Sequence, residues 1–337
     1  MYCRIVHRLH ISAVHRLYSS AGCRLYNSAV RPDLSERIRA RVVTSSPSLT
    51  AANHYYLEGG KLLRPAIVLQ LAQALHPAGP LSAHNHLAEI VEMIHAASLL
   101  HDDVVDDAEL RRGKATANVK FGSKSAVLSG DYLLAQASVA LAELGDLRVI
   151  ILLATVIKDL VEGEMLQMKA TVEEKLSIEV YLRKSYLKTA SLIAKSCKAV
   201  AILGGHNETV QEACYQFGRH LGLAFQIVDD KLDYTSTHTE LGKPVGADLR
   251  NGIVTAPVLF AMEEFPVIRD YVGRGFSQNN DHEKVIEMVL ESNGVARTQE
   301  LAEDLLSKSM HALSFLPSDV TSQSFNDLIS SVTLRTK

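Results

Sequence analysis

Aspartates recur in this chain at a spacing that suits a divalent cation. In Asp102-Asp103-Val104-Val105-Asp106-Asp107 the first and fifth residues stand four apart, so on a helix their carboxylates share one face about one turn from each other. Like charges so placed repel unless water or a cation screens them. Several hard oxygen ligands suit Mg²⁺, which takes one or two carboxylates and completes its shell with phosphate oxygens and water. Asp229-Asp230-Lys231-Leu232-Asp233 repeats the spacing. One cluster alone is often only a solvated helix face. Two clusters, each after an apolar helix and more than a hundred residues apart, are a much stronger signal.

The basic residues supply the other half of the pattern. Gly59-Gly60-Lys61-Leu62-Leu63-Arg64-Pro65 joins a permissive glycine turn to Lys and Arg at a helix start, where free backbone donors also favour an anion. Arg111 and Arg112 follow the first aspartates closely, and Lys188 and Lys243 lie in later segments. Singly, each reads as a surface charge. Around two magnesium-binding clusters they read as a diphosphate site, with Arg offering bidentate hydrogen bonds and Lys a point charge.

Helices must position these groups. Leu, Ala, Val, Ile, Glu and Lys dominate, aromatics make up 6%, and Trp is absent, a composition that favours helix. Leu87, Ile90, Val91, Ile94, Ala97 and Ser98 form one face of a helix running into Asp102, and Phe217, Leu221, Ala224 and Phe225 one running into Asp229. Strand signals are few, so the expected fold is all-α. Breaks fall at Ser45–Ser48, His76–Pro80, Arg112–Lys114 and Gly242–Pro244. None resembles a domain linker, which predicts one folded domain over 33–337.

The 337 residues can bury a substantial core, and a formal charge of -3 gives no reason to expect nucleic acid. The apolar run Val149–Ile157 is far shorter than the roughly 20 residues that span a bilayer and reads as a buried helix segment. Cys197 and Cys214 are isolated in apolar sequence and read as small buried residues. Residues 1–32 differ from the rest. Arg4, Arg8, Arg16, Arg24 and Arg31 alternate with apolar residues and Ser, and the first acid is Asp33. That is how an organellar transit peptide reads, and Arg dominance favours mitochondrion over plastid.

Taken in order, Gly59–Pro65, His95–Asp107, Arg111-Arg112-Gly113, Gly163-Glu164-Met165-Leu166-Gln167, Lys188-Thr189-Ala190, Phe225–Asp230 and Gly242-Lys243 resemble the motifs of the trans-isoprenyl (polyprenyl) diphosphate synthases, most like the long-chain mitochondrial members. The resemblance implies a single-domain isoprenoid-synthase fold, antiparallel helices around a central cavity, and a homodimer, with a heteromer as the alternative. It implies that Asp102, Asp106 and Asp229 hold Mg²⁺, with Asp103, Asp230 and Asp233 completing the clusters directly or through water. Arg111, Lys188, Thr189, Gln226 and Lys243 would contact an allylic diphosphate; Lys61, Arg64, His95 and Arg112 would hold isopentenyl diphosphate. His101 reads better as a hydrogen-bonded helix residue than as a ligand.

Beneath Asp102, small Ala97 and Ser98 would leave the cavity open for a long apolar product, with Ile94 and Val91 setting a deeper floor. With the leader, this suggests the polyprenyl side chain of ubiquinone, no transmembrane segment, and peripheral membrane association through the apolar product. A shorter-chain geranylgeranyl or farnesyl diphosphate synthase is the alternative. A class I terpene cyclase would be expected to alter the second cluster and line its pocket with aromatics, and a regulatory subunit to have lost its acids. Here the second cluster is intact, Trp is absent, and both clusters keep their acids.

Overall fold

The computed structural model describes residues 33–58, 62–76, 78–111, 113–235 and 245–316. The expected leader at 1–32 lies outside them, as do Lys61, Arg112 and Lys243. Helix α1 spans 33–41. Helix α2 (Pro47–Leu57) starts where Ser46 Oγ accepts from the Leu49 N–H, and Pro47 at its first position forfeits no helical hydrogen bond. Then come α3 (Leu63–Leu75) and α4 (Ser82–Val105). A two-stranded antiparallel pair follows, β1 (Leu110–Arg111) and β2 (Lys114–Ala115), with Arg111 opposite Lys114.

Next are α5 (Ala117–Phe121), α6 (Ser123–Leu144), α7 (Leu147–Lys169), α8 (Val172–Lys175) and α9 (Ile178–Ser185). A single π turn, Tyr186–Ala190, leads into α10 (Ser191–Leu203) and α11 (Glu208–Thr235). The series closes with α12 (Ala247–Arg250), α13 (Ala256–Glu264), α14 (Ile268–Gly273), α15 (Asp281–Glu291) and α16 (Gly294–Leu313). The fold is all-α, as expected, and the β1–β2 pair is only a brace for the segment that carries the arginines.

Helix α11 packs between α10 and α16, α4 packs between α6 and α3, and α10 joins the two halves through α3 and α4. The α10–α11 contact depends on glycine. A Cβ at Gly218 would stand 2.8 Å from Ala194 Cα, and one at Gly222 2.6 Å from Ala190 Cα. Alanine at either position would push the helices apart, at about 1–3 kcal/mol for such overpacking. The second acid cluster lies within its helix and the first straddles the end of its own. Helix α4 includes Asp102 and Asp103, and α11 contains the whole second cluster.

Cys197 and Cys214 are fully buried free thiols. The run Val149–Ile157 is buried on one face only. Val149, Leu153 and Val156 enter the core of α7, while Ile151 is 57% exposed, because a helix of period 3.6 turns part of any apolar run outward. Among the described residues no helix is long and apolar enough to cross a membrane.

Candidate active site

The ends of α4 and α11 meet at a cavity of ≈ 400 Å³. His95, Ser98 and Asp102 line it from α4, Asp106 from the C-cap of that helix, and Phe225, Gln226, Asp229 and Asp230 from α11. These sets follow helical spacing, so each helix contributes one face. The turn below Asp106 is still helical, since its N–H donates to Asp102 O at 2.8 Å. Burial pushes the Asp102 carboxyl up to about 6; Glu164 and Asp106 add to the rise, while Lys188 and Arg111 oppose it. Asp106 is raised for the same leading reason.

Asp103 points elsewhere. It is 1% exposed and accepts from Arg111 Nε at 2.8 Å and from the Tyr56 hydroxyl, with Arg111 Nη2 2.6 Å away. Tyr56 reaches Leu99 O as well, at 3.1 Å. Asp103 therefore aims the Arg111 guanidinium, which itself lines the cavity.

The second cluster divides differently. Asp230, 4% exposed, accepts from the Tyr181 hydroxyl at 2.6 Å and from Gln226 Nε2 at 2.7 Å. Burial and the charge of Asp248 push its carboxyl up to about 7, against those two hydrogen bonds. Asp233 does not line the cavity. Its two carboxylate oxygens accept from the N–H groups of Ala247 and Asp248, each at 3.1 Å, so it fastens the start of α12. Asp103 and Asp233, expected to complete the clusters, are thus engaged by protein donors, which the Asp spacing alone could not reveal.

Among the basic candidates, Arg64 Nη1 donates to His95 Nε2 at 2.8 Å, and both line the cavity. Lys188 Nζ pairs with Glu164 Oε2 at 2.5 Å. Thr189 Oγ1 donates to Gln226 Oε1 at 2.6 Å, linking the π turn to Asp230 through Gln226. Of the wall candidates, Ser98 lines the cavity with its hydroxyl turned to His95 O at 2.9 Å, while Ala97, Ile94 and Val91 are fully buried. His101 faces α6, with Nε2 3.2 Å from Val127 O, and is a helix–helix contact.

Sequence reasoning missed Lys184, Asp248, Glu164 and Tyr181. Lys184 lines the cavity one helical turn before Lys188, a spacing that could have flagged it. Asp248 reaches the cavity from the four-residue α12, and nothing in its local pattern announces that. Glu164 sits in a recognised motif, but its pairing with Lys188 is tertiary.

Five aspartates, Asp102, Asp106, Asp229, Asp230 and Asp248, face this cavity alongside Arg64, Arg111, Lys184 and Lys188. Among the described residues no three acid, histidine or cysteine groups form a cage for an ion. Mg²⁺ needs no such cage, since substrate phosphate and water complete its octahedron. Carboxyls raised by burial and mutual repulsion mark an excess of negative charge that a divalent cation would offset. The donor set fits the metal.

A family model described as Polyprenyl synthetase matches residues 46–291. The chain is 44% identical over 302 residues to mitochondrial solanesyl-diphosphate synthase 1 of Oryza sativa subsp. japonica, covering 84% of this chain and 70% of that one. It is 45% identical over 289 residues to human all trans-polyprenyl-diphosphate synthase PDSS1, with the same two coverages. Heptaprenyl diphosphate synthase from Staphylococcus aureus superposes with TM-score 0.86 at 31% identity, covering 93% of this chain and 99% of that one. Polyprenyl synthase from Caulobacter crescentus CB15, solved with calcium and isoprenyl diphosphate, superposes with TM-score 0.84 at 32% identity, covering 94% and 98%.

Proposed function

We propose, from the premise that this chain belongs to the polyprenyl synthetase family, that it is a mitochondrial trans-prenyltransferase. It condenses an allylic diphosphate with successive isopentenyl diphosphate units to a long-chain all-trans polyprenyl diphosphate, which serves as the ubiquinone side chain. The observation that carries this reading is one cavity bordered by aspartates of both α4 and α11 and by Arg64, Arg111, Lys184 and Lys188.

Mg²⁺ held by Asp102, Asp106 and Asp229 would neutralise charge on the allylic diphosphate as it departs. Arg111, aimed by Asp103, and Lys188 and Thr189 on the π turn grip that diphosphate, with Gln226 and Lys243. Arg64 and His95, with Lys61 and Arg112, hold isopentenyl diphosphate beside it, and this positioning supplies much of the rate. As the allylic C–O bond breaks, the isopentenyl double bond attacks the cationic carbon. A proton then passes to the departed diphosphate and restores an alkene, so no side-chain base is required. Leu99, Phe225 and Ile253 in the cavity lining limit the water that would capture the cation.

Long product follows from Ser98 on the cavity wall, where a small side chain leaves room below Asp102. Exposed Val127, Leu128 and Val139 on α6 and Ile151, Val161 and Met168 on α7 supply an apolar face for the homodimer. Residues 1–32 serve as the transit peptide. The test is incubation of the chain with Mg²⁺, farnesyl diphosphate and isopentenyl diphosphate, with sizing of the product. A ladder ending in a long polyprenyl diphosphate is expected. No elongation would sink the activity, and arrest after the first added unit, at 20 carbons, would sink the long-chain assignment. Ser98→Phe should shorten the final product while the first condensation keeps most of its rate, read from the same ladder.

A further inference from the structure

Seven residues after Lys188, α10 and α7 are joined by a buried polar cluster that the proposed chemistry does not use. Lys195 is 9% exposed. Its Nζ donates to Asp159 Oδ2 at 2.5 Å and to Thr155 Oγ1 at 2.9 Å. Ser191 Oγ donates to the same Asp159 oxygen. A buried ion pair is weak evidence of stabilisation, because desolvation of both charges offsets most of their attraction. Its place in the chain is more informative.

Ser191 is the first residue after the π turn that carries Lys188 and Thr189. A π turn is rare inside a helix and is found where the surroundings hold it, often at functional sites. It adds a residue to the helical ladder and so lets the flanking segments face different neighbours. Before it, Tyr181 reaches Asp230 on α11; after it, Ser191 and Lys195 reach α7. Gly163 on α7 lets the turn approach closely, since a Cβ there would stand 2.8 Å from Lys188 Cγ and 3.0 Å from Leu187 Cβ. The turn is tied to α7 on its cavity side by Lys188–Glu164, and to α11 by Thr189–Gln226. Its exit is tied by Ser191–Asp159.

We infer that Asp159, Ser191 and Lys195 are a positioning clamp for the π turn, setting its rotation so that Lys188 and Thr189 both present to the diphosphate. None of the three lines the cavity, so each acts through the turn. Lys195, anchored on Thr155, keeps the Asp159 carboxylate where Ser191 can bond it. The inference rests on the reading of Lys188 and Thr189 as allylic diphosphate contacts.

Two variants of the full chain test it. The double change Asp159→Leu with Lys195→Met removes the pair without leaving one charge buried alone, and Ser191→Ala removes only the link to the turn. Amide hydrogen exchange over 186–190 should quicken about tenfold in both, with α16 as an unchanged reference. Unchanged exchange at the turn would overturn the clamp whatever the activity. In steady-state assays KM for the allylic diphosphate should rise about tenfold while KM for isopentenyl diphosphate stays put. No change, or equal rises in both, would also overturn it. A wild-type chain unable to incorporate isopentenyl diphosphate would count against the functional reading instead, and the exchange measurement would still decide the clamp.

Discussion

The two aspartate clusters share a spacing but not a division of labour. In the first, Asp102 and Asp106 border the cavity and Asp103 turns back to Arg111 and Tyr56. In the second, Asp229 and Asp230 border it, Asp230 is held by Tyr181 and Gln226, and Asp233 fastens α12. The difference comes from where each helix stops. Helix α4 ends at Val105, so Asp106 sits at its cap beside the cavity. Helix α11 runs on to Thr235, so Asp233 remains on a helical turn facing the first backbone donors of α12, which have no partner within that helix. Two clusters of the same aspartate spacing therefore supply two cavity-facing carboxylates each, chosen at different positions.

The largest effects should come from the cavity-facing acids. Asp102→Ala and Asp229→Ala should each lower kcat by about 10³-fold or more at saturating Mg²⁺. A loss below tenfold at either site would break the idea that both clusters serve one metal-dependent step. Asp103→Asn should come next, with kcat/KM for the allylic diphosphate falling about 10²-fold as Arg111 loses its aim. Its Mg²⁺ half-saturation should match wild type; a shift like that of Asp102→Ala would make Asp103 a ligand and erase the contrast. Asp233→Ala should be the mildest in catalysis and show mainly in stability, at about 1 kcal/mol for a lost helix cap, read by thermal denaturation. Catalytic loss equal to that of Asp229→Ala with an unshifted melting point would reverse that assignment.

Much of this was legible in the residues. Helical periodicity ahead of Asp102 and Asp229 gave the all-α fold and both cluster-bearing helices, because period 3.6 patterns survive whatever the helices pack against. Lys188, Thr189 and Gln226 could be picked out as motif residues. Less legible were the roles within each cluster. The run Val149–Ile157 illustrates the same limit, since its apolar character did not reveal that Ile151 faces outward.

By itself, then, the sequence determined the helical fold and the two helices that carry the aspartate clusters, and it picked out Arg64, His95, Asp102, Arg111, Lys188 and Asp229 as candidates that line the cavity. Only the tertiary structure decided which carboxylates reach the cavity. It paired Asp103 with Arg111, Glu164 with Lys188 and Asp159 with Lys195, brought Asp248 beside Asp230, and inserted the π turn at Tyr186–Ala190. The physical reason is range. Periodicity acts over a few residues of one helix, whereas burial, ion pairing and hydrogen bonding join atoms that meet only when separate helices pack.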